Sequence, residues 1–259
     1  MKRYSIFSSS FIIVTVAGYC LSSCSSSKED DPLVVSPASI SMHYEDTKQL
    51  KADGATSWYS NDEFVAKVNS SGLVTGNHVG ETEIVVSDGS RSAICKVTIT
   101  PEYYLYDDPI LQWGTSMSSI KSLETHKGAN STNDNVLVYD YSFGSKSCLM
   151  GYTFNNGALQ GVMAMLNVSM YADVAYYLLE RFQPVAAGDN YDYVLIDAME
   201  KDKCKTIVYL STQKIDNSIV LTVLYADPSI VSSTRTIKEY GPEIEEMQKE
   251  MMRFYERNN

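Results

Sequence analysis

The sequence predicts a multidomain protein. An all-β sandwich is followed by an α+β domain of two α-β-β-β units, whose helices lie on one face of an antiparallel sheet, and by a C-terminal helix. Before residue 100, short segments with apolar side chains at alternate positions recur, separated by turn residues, which is typical of half-buried strands. After residue 108, helix-like and strand-like segments occur twice in the same order, and the last residues are apolar at helical spacing.

Composition narrows the class of partner and of function. The chain has 259 residues with 21 Lys+Arg against 32 Asp+Glu, a net charge of −11. Such an acidic chain disfavours nucleic acid and anionic lipid surfaces as partners. We find no metal-ligand spacing, no phosphate-binding glycine loop and no nucleophile motif. We therefore expect no cofactor, no metal and no enzymatic activity.

Residues 1–23 have the layout of a secretory signal. Two basic residues precede an apolar stretch at 11–18, which is too short to span a bilayer, and small residues follow. The stretch that closes this region resembles the lipobox of bacterial lipoproteins: Leu21, Ser22, Ser23 and Cys24. The resemblance implies cleavage before Cys24 and diacylglycerol on its sulfur. Cys24 would then be the lipidated N-terminus, anchored by several acyl chains such as palmitate. The alternative is an ordinary signal with a chance cysteine.

Residues 24–32 are rich in serine and charge and end in proline, which predicts a flexible tether. Four consecutive charged residues in it resemble the lipoprotein export signal of Bacteroidota: Lys28, Glu29, Asp30 and Asp31. This resemblance implies a surface lipoprotein on the outer face of the outer membrane. Without it the segment is a solvated tether, and the periplasmic face remains the alternative.

Residues 33–100 are expected to form the sandwich. Residues 93–99 place Ala93, Cys95, Val97 and Ile99 on one face. The order of short motifs here resembles the bacterial immunoglobulin-like group 2 domain: Gln49-Leu50, Trp58 with Ser60, Val65-Ala66 with Val68, Gly72 with Val74, and Gly80 with Thr82 and Ile84. The resemblance implies a spacer or adhesive module in which Trp58 fills the space between two sheets.

After a linker at 101–108, residues 109–227 are expected to form the α+β domain. The first unit has a short helix capped by Thr115 or Ser116, with Trp113, Met117, Ile120 and Leu123 facing inward, and strands at 136–141, 148–154 and 159–166. A polar loop at 128–135 precedes the first of these strands. Asn156-Gly157 predicts a type I′ turn between the last two.

The second unit repeats this order. Ser169 is expected to cap a helix with Tyr171, Val174, Leu178 and Phe182 on one face, ended by Pro184, and strands follow at 191–198, 204–211 and 219–226. Equivalent positions are 56 to 58 residues apart, as with Cys148 and Cys204. The layout is similar in topology to the tandem repeat of the beta-lactamase inhibitory protein, and more distantly to small lipoproteins of the outer-membrane assembly machinery. This similarity implies no functional residue.

A row of aromatic side chains in this domain is a candidate binding face for a sugar or peptide: Tyr139, Tyr141, Tyr152 and Phe154. The competing interpretation is that the row forms the core under the helices, because β-strands favour tyrosine. Cys148 and Cys204 open equivalent strands, and the sequence leaves open whether they form a disulfide or remain buried thiols.

Residues 228–259 form a tail with a predicted amphipathic helix. Gly241-Pro242 introduces it, and its apolar side has Ile244, Met247, Met251 and Phe254 or Tyr255. We expect this helix to dock on the preceding domain, and binding of a partner is the alternative.

Together these features predict a lipid-anchored envelope protein, on the cell surface, that presents an α+β domain on an immunoglobulin-like stalk. It would bind a glycan or a protein without catalysis. The alternative is a structural or assembly subunit of an outer-membrane complex. A hydrolase ranks last, because His126, beside a polar loop, and a few carboxylates are the only acid-base candidates of the second domain.

Overall fold

The computed structural model describes residues 31–129, 134–188, 191–215, 218–229 and 246–252. The chain divides into two units, Met1–Pro32 and Leu33–Asn259, and the following concerns the second. The predicted lipobox and all of the predicted export signal except Asp31 lie outside the described residues, as do the bounds predicted for the C-terminal helix.

The first domain is a sandwich of seven strands: β1 (Ser39–Met42), β2 (Thr47–Gln49), β3 (Ser57–Ser60), β4 (Ala66–Val68), β5 (Leu73–Gly76), β6 (Gly80–Ser87) and β7 (Ser92–Ile99). One sheet has the order β1-β7-β6-β3 and the other β2-β5-β4. Cys95, Val97 and Ile99 are buried between the sheets, as the alternation predicted, and Trp58 packs against this core.

Within the described residues up to 229, the second domain has one eight-stranded antiparallel sheet and two α-helices. In chain order its elements are α1 (Met117–Leu123), β8 (Lys127–Ala129), β9 (Val136–Asp140), β10 (Cys148–Asn155), β11 (Ala158–Asn167), α2 (Tyr171–Leu179), β12 (Gln183–Gly188), β13 (Tyr191–Ile196), β14 (Ile207–Ile215) and β15 (Ser218–Ala226). The sheet order is β12-β13-β14-β15-β11-β10-β9-β8. The two predicted α-β-β-β repeats, which comprise β8 to β11 and β12 to β15, therefore lie on opposite sides of the central strand pair β11-β15 in mirrored order. The predicted α+β fold is confirmed.

Each unit has four strands where the sequence predicted three. The additional strands, β8 and β12, are the two edges of the sheet. β8 is only three residues long and contains a glycine, so its sequence shows no alternation of apolar and polar residues that would predict a strand. β12 contains Pro184, which the sequence analysis interpreted only as the end of the preceding helix. Proline cannot donate to a sheet ladder, but an edge strand tolerates it.

The helices α1 and α2 cover one face of the sheet, where Ile120, Val174 and Leu178 are fully buried. Ser116 caps α1, as predicted, because its hydroxyl accepts a hydrogen bond from the backbone N–H of Ser119. The inward position predicted for Leu123 is wrong, because this side chain is about half exposed at the last residue of α1.

Of two further local predictions, one is wrong and one is confirmed. The cap predicted at Ser169 is wrong: Asn167 caps a 3-10 turn at Val168–Met170, and α2 begins only after that turn. The turn after β10 is confirmed, since Asn156 and Gly157 both have positive φ angles of 50° and 78°.

The opposite face of the sheet is covered by helical residues 246–252. Met247, Met251 and Met252 are buried there against a core that includes Val138, Leu149 and Met163. Docking on the preceding domain is thus the observed arrangement for the described part of the C-terminal helix.

Candidate functional site

The aromatic row predicted as a binding face lies in the core. Tyr139, Tyr141, Tyr152 and Phe154 are at most 8 % exposed and pack in the cluster that also contains Ile120 and Leu178. The binding-face interpretation of these four residues is therefore wrong. Alternation places them on one side of the sheet, and that side is the one that α1 and α2 cover.

Two tyrosine hydroxyl groups of this row belong to a buried hydrogen-bond network around Glu124. The Tyr141 and Tyr152 hydroxyls donate to Glu124 Oε2 at 2.6 and 3.0 Å. On the other carboxylate oxygen, Glu124 Oε1 lies 2.6 Å from His126 Nδ1, and the His126 ring stacks on Tyr141 with centroids 3.7 Å apart. His126 is thus held firmly, whereas the sequence placed it beside a polar loop.

Electrostatics fixes the protonation of this network. Burial, and next the neighbouring Tyr152, raise the pKa of Tyr141 far above its ordinary value, so its hydroxyl stays protonated and donates. Burial also raises the pKa of Glu124, but the hydrogen bonds from Tyr141, His126 and Tyr152 outweigh it and the net pKa is lowered. Glu124 therefore remains an ionised acceptor.

The network also holds the segment that the sequence interpreted as a linker. Asp107 Oδ2 lies 3.2 Å from His126 Nε2, and the Tyr177 hydroxyl donates to Asp108 Oδ1 at 2.7 Å. Between the domains, Leu105 and Tyr106 are buried in the core of the second domain. Residues 105–108 are therefore packed into that domain.

Glu180, at the C-terminal end of α2, connects both domains. Its carboxylate accepts hydrogen bonds from the backbone N–H groups of Glu102 and Tyr103 at 2.9 and 3.1 Å, and it pairs with Arg181 Nη1 at 2.5 Å. Its backbone carbonyl accepts from the N–H of Val79 in the sandwich at 2.7 Å. Glu180 thus contacts the sandwich through one direct backbone hydrogen bond and the connecting segment through two further hydrogen bonds.

This attachment leaves a cleft of about 1080 Å³ between the loops of the sandwich and residues 197–205. On the sandwich side the rings of Phe64 and His78 stack with centroids 4.0 Å apart, and His78 Nδ1 lies 2.7 Å from the carbonyl oxygen of Phe64. Burial lowers the pKa of His78, which favours the neutral imidazole. Met199 and Gln183 contribute from the other side.

The cleft is polar and carries an excess of negative charge. Its lysines are Lys67, Lys203 and Lys205, and its carboxylates are Glu45, Asp62, Glu63, Asp197, Glu200 and Asp202. Ligand sites occur preferentially at interfaces between domains, and this cleft has that position, although its lining is more polar than in most small-molecule sites. Within the described residues, no group of three or more His, Cys, Asp or Glu side chains is arranged to hold a metal ion.

None of the cleft residues is predicted from the sequence to be a binding residue. The loops that form it lie more than 100 residues apart in the chain, and no motif links them. The two cysteines of the repeat are both free, Cys148 buried and Cys204 partly exposed. Cys204 also precedes β14 by three residues, so it does not open the strand as predicted.

Comparison with known proteins bears on the first domain. Residues 29–97 match the family model of the bacterial Ig-like domain (group 2). The immunoglobulin-like part of the prediction is thereby confirmed. The structure of the S-layer protein SbsC, domains 5-6, is similar at 14% identity over 79% of this chain and 86% of that chain, with a TM-score of 0.24. That score is too low to support an argument about fold or function.

No curated protein matches the sequence. Among the residues that the structure describes, no helix is both long and apolar enough to cross a membrane.

Proposed function

We propose that this protein is a lipid-anchored, non-catalytic binding protein of the cell surface, which takes its ligand in the cleft between the immunoglobulin-like and α+β domains. The presence of a bacterial Ig-like domain supports a surface module of this type. The ligand is a glycan or a segment of another protein. Its chemistry is polar, and neutral or cationic, because carboxylates outnumber lysines in the cleft.

The anchor is the acylated Cys24, and residues 24–32 are the tether that separates the folded part from the membrane. Several acyl chains, at about 0.8 kcal/mol for each buried methylene, give stable attachment without a membrane-spanning helix. Lys28, Glu29, Asp30 and Asp31 direct the protein to the outer face of the outer membrane. The lipobox and the acidic motif that follows it support this part of the proposal.

The observation that carries the binding role is the attachment of the two domains to each other. A ligand cleft between domains loses affinity if its walls move independently, because closing it then costs conformational entropy. Here Glu180 bonds both the connecting segment and the sandwich. We propose that this attachment limits the relative motion of the two cleft walls before a ligand binds.

The anchor and the exposure are tested together in intact cells. Metabolic labelling with an alkyne fatty acid is expected to mark the wild type and to be abolished by Cys24→Ala. Protease added to intact cells is expected to remove residues 33–259, whereas a variant with Lys28, Glu29, Asp30 and Asp31 changed to Ala is protected until lysis. Protection of the wild type would reject the surface location and favour an assembly subunit facing the periplasm.

The cleft is tested with the purified full chain in detergent, screened against arrays of neutral glycans, amino sugars and lysine- or arginine-containing peptides. Glu63→Lys reverses a charge inside the cleft and is expected to weaken binding by about tenfold or more. Glu81→Lys makes the same change at an exposed position of β6 outside it, and should leave binding intact. Equal effects of both variants, or binding only to anionic probes, would refute the cleft as the site.

A further inference from the structure

Two tyrosines form an exposed stacked pair away from the residues that line the cleft. The rings of Tyr103, on the connecting segment, and Tyr176, on α2, have centroids 5.0 Å apart and planes inclined by only 13°. The two residues are nevertheless 38 % and 53 % exposed. Stacking covers the inner face of each ring, so the area that the pair exposes to solvent belongs to the outer faces and the edges of the rings.

The backbone that carries the two rings is held by hydrogen bonds at Tyr103 and by the packing of α2 at Tyr176. The N–H of Tyr103 donates to the buried Glu180 carboxylate, and its carbonyl accepts from Arg181 Nη1 at 3.5 Å. Tyr176 lies on the outward side of α2, because Val174 and Tyr177 occupy the buried side. A platform fixed in this way loses little conformational entropy when a ligand packs on it.

Charges around the pair are nearly balanced. Asp173 pairs with Lys146 Nζ at 2.5 Å, and Glu180 pairs with Arg181. Three carboxylates lie near the Tyr103 phenol: Glu102, Asp173 and Glu180. Of these, only the exposed Glu102 has no cationic partner within the described residues. The surface therefore offers hydrogen-bond acceptors and two phenol groups, but no strong field that would attract a highly charged ligand.

We infer that the Tyr103–Tyr176 pair is a stacking platform for a neutral glycan. The apolar face of a sugar ring packs on a flat aromatic surface, and its hydroxyl groups donate to carboxylates such as Glu102 and Asp173 and exchange hydrogen bonds with the phenols. A basic peptide could stack an arginine here, but the ion pairs already formed remove most of the electrostatic gain. This site is separate from the cleft and goes beyond the proposed function.

The test is calorimetric titration of the full chain in detergent with cellohexaose, xylohexaose, mannohexaose and maltohexaose. We expect at least one of these neutral oligosaccharides to bind. Tyr103→Ala and Tyr176→Ala should each weaken that binding by about tenfold or more, since each removes a ring of the platform. Tyr193→Ala removes a tyrosine of comparable exposure, 44 %, from β13, and should change affinity less than twofold, about the error expected.

Several results separate the alternatives. Raising NaCl from about 50 to about 500 mM should leave affinity unchanged for a neutral ligand, because there is no charge attraction to screen. Steep salt dependence, binding of an oligoarginine peptide in preference to the sugars, no binding of any of the four sugars, or unchanged binding by the two variants would each overturn the inference. Glu63→Lys in the cleft should leave this binding intact, so failure at one site is distinguishable from failure at the other.

Discussion

Replacing Glu180 by alanine is the most informative perturbation of this structure. The carboxylate is 2 % exposed and accepts hydrogen bonds from two backbone N–H groups of the connecting segment. It also pairs with Arg181, whose guanidinium lies 3.9 Å from the centre of the Tyr177 ring. Glu180→Ala removes the two hydrogen bonds and the ion pair of the carboxylate and leaves Arg181 with the more distant Asp108, at 3.5 Å. The backbone hydrogen bond from Val79 is retained.

The expected loss of unfolding free energy is about 3 kcal/mol. Breaking a buried ion pair by removing one partner costs about 3–5 kcal/mol, and a hydrogen bond to a charged group contributes about 1.5–3 kcal/mol. These contributions overlap and do not add. The two N–H groups are only partly buried, so water replaces part of the lost bonding, which places the estimate at the low end. For a unit of this size the melting temperature should fall by about 6–12 °C.

The assay is urea denaturation of the full chain in detergent, with limited proteolysis of residues 101–108 as a second readout. Glu180→Gln keeps one accepting oxygen and should lose about half as much stability as Glu180→Ala. Glu200→Ala is the matched control, since that carboxylate is 63 % exposed and pairs with Lys203 at the surface, where a pair contributes little. If Glu180→Ala lost no more stability than Glu200→Ala, the stabilising role assigned to the Glu180 carboxylate at the connecting segment would be refuted.

Three further predictions concern the sheet and its thiols. Gly151→Ala would place a Cβ 2.6 Å from Met251 Sδ, so we expect a loss of about 1–3 kcal/mol and more hydrophobic dye bound as the C-terminal helix detaches. Because the pKa of Glu124 lies below its ordinary 4.5, its stabilisation is complete above that pH and is lost as pH falls below it; Glu124→Gln should flatten this part of the stability curve in urea titrations. Under native conditions iodoacetamide should alkylate Cys204 before Cys148, whose thiol is buried and has a raised pKa.

Each of these has an outcome that would contradict it. Gly128→Ala, whose Cβ would meet its nearest neighbour at 3.5 Å, is the control for the first, and equal losses in the two variants would argue against a tight helix contact. Parallel acid unfolding curves for wild type and Glu124→Gln would exclude a role for that carboxylate. Alkylation of Cys148 as fast as that of Cys204, read by peptide mass spectrometry, would show that the core opens more readily than its packing implies.

Local sequence pattern determined a large part of this protein. Alternation in β7 and β9 and helical spacing in α1 and α2 specify which side of each element is apolar, because side-chain direction follows directly from backbone period. The turn at Asn156 and Gly157 follows from the backbone angles that these residues accept. The two α-β-β-β repeats were also predictable from the sequence, because their equivalent positions are a nearly constant number of residues apart.

Only the tertiary structure shows which elements bury the apolar side of each helix and strand. Alternation placed Tyr139 and Tyr141 on a common face, but it could not say that two helices bury that face. The same limit applies to β12, since Pro184 ends a helix and fits an edge strand equally well until the strand order is known. The alternation of apolar residues is a local property of the sequence, whereas the elements that bury an apolar face come from residues far away in the chain.

The candidate sites belong wholly to this second category. Phe64 and Met199 line one cleft, and Tyr103 stacks on Tyr176, although each pair is far apart in the chain. Glu180 contacts the connecting segment and the sandwich beside them. A short run such as residues 101–108 has the composition of a linker, and its burial is set by partners up to 119 residues away, as with Tyr106 and Tyr225. The sequence by itself determined the elements and their apolar sides, and long-range packing alone determined which polar and aromatic groups remain together at the surface.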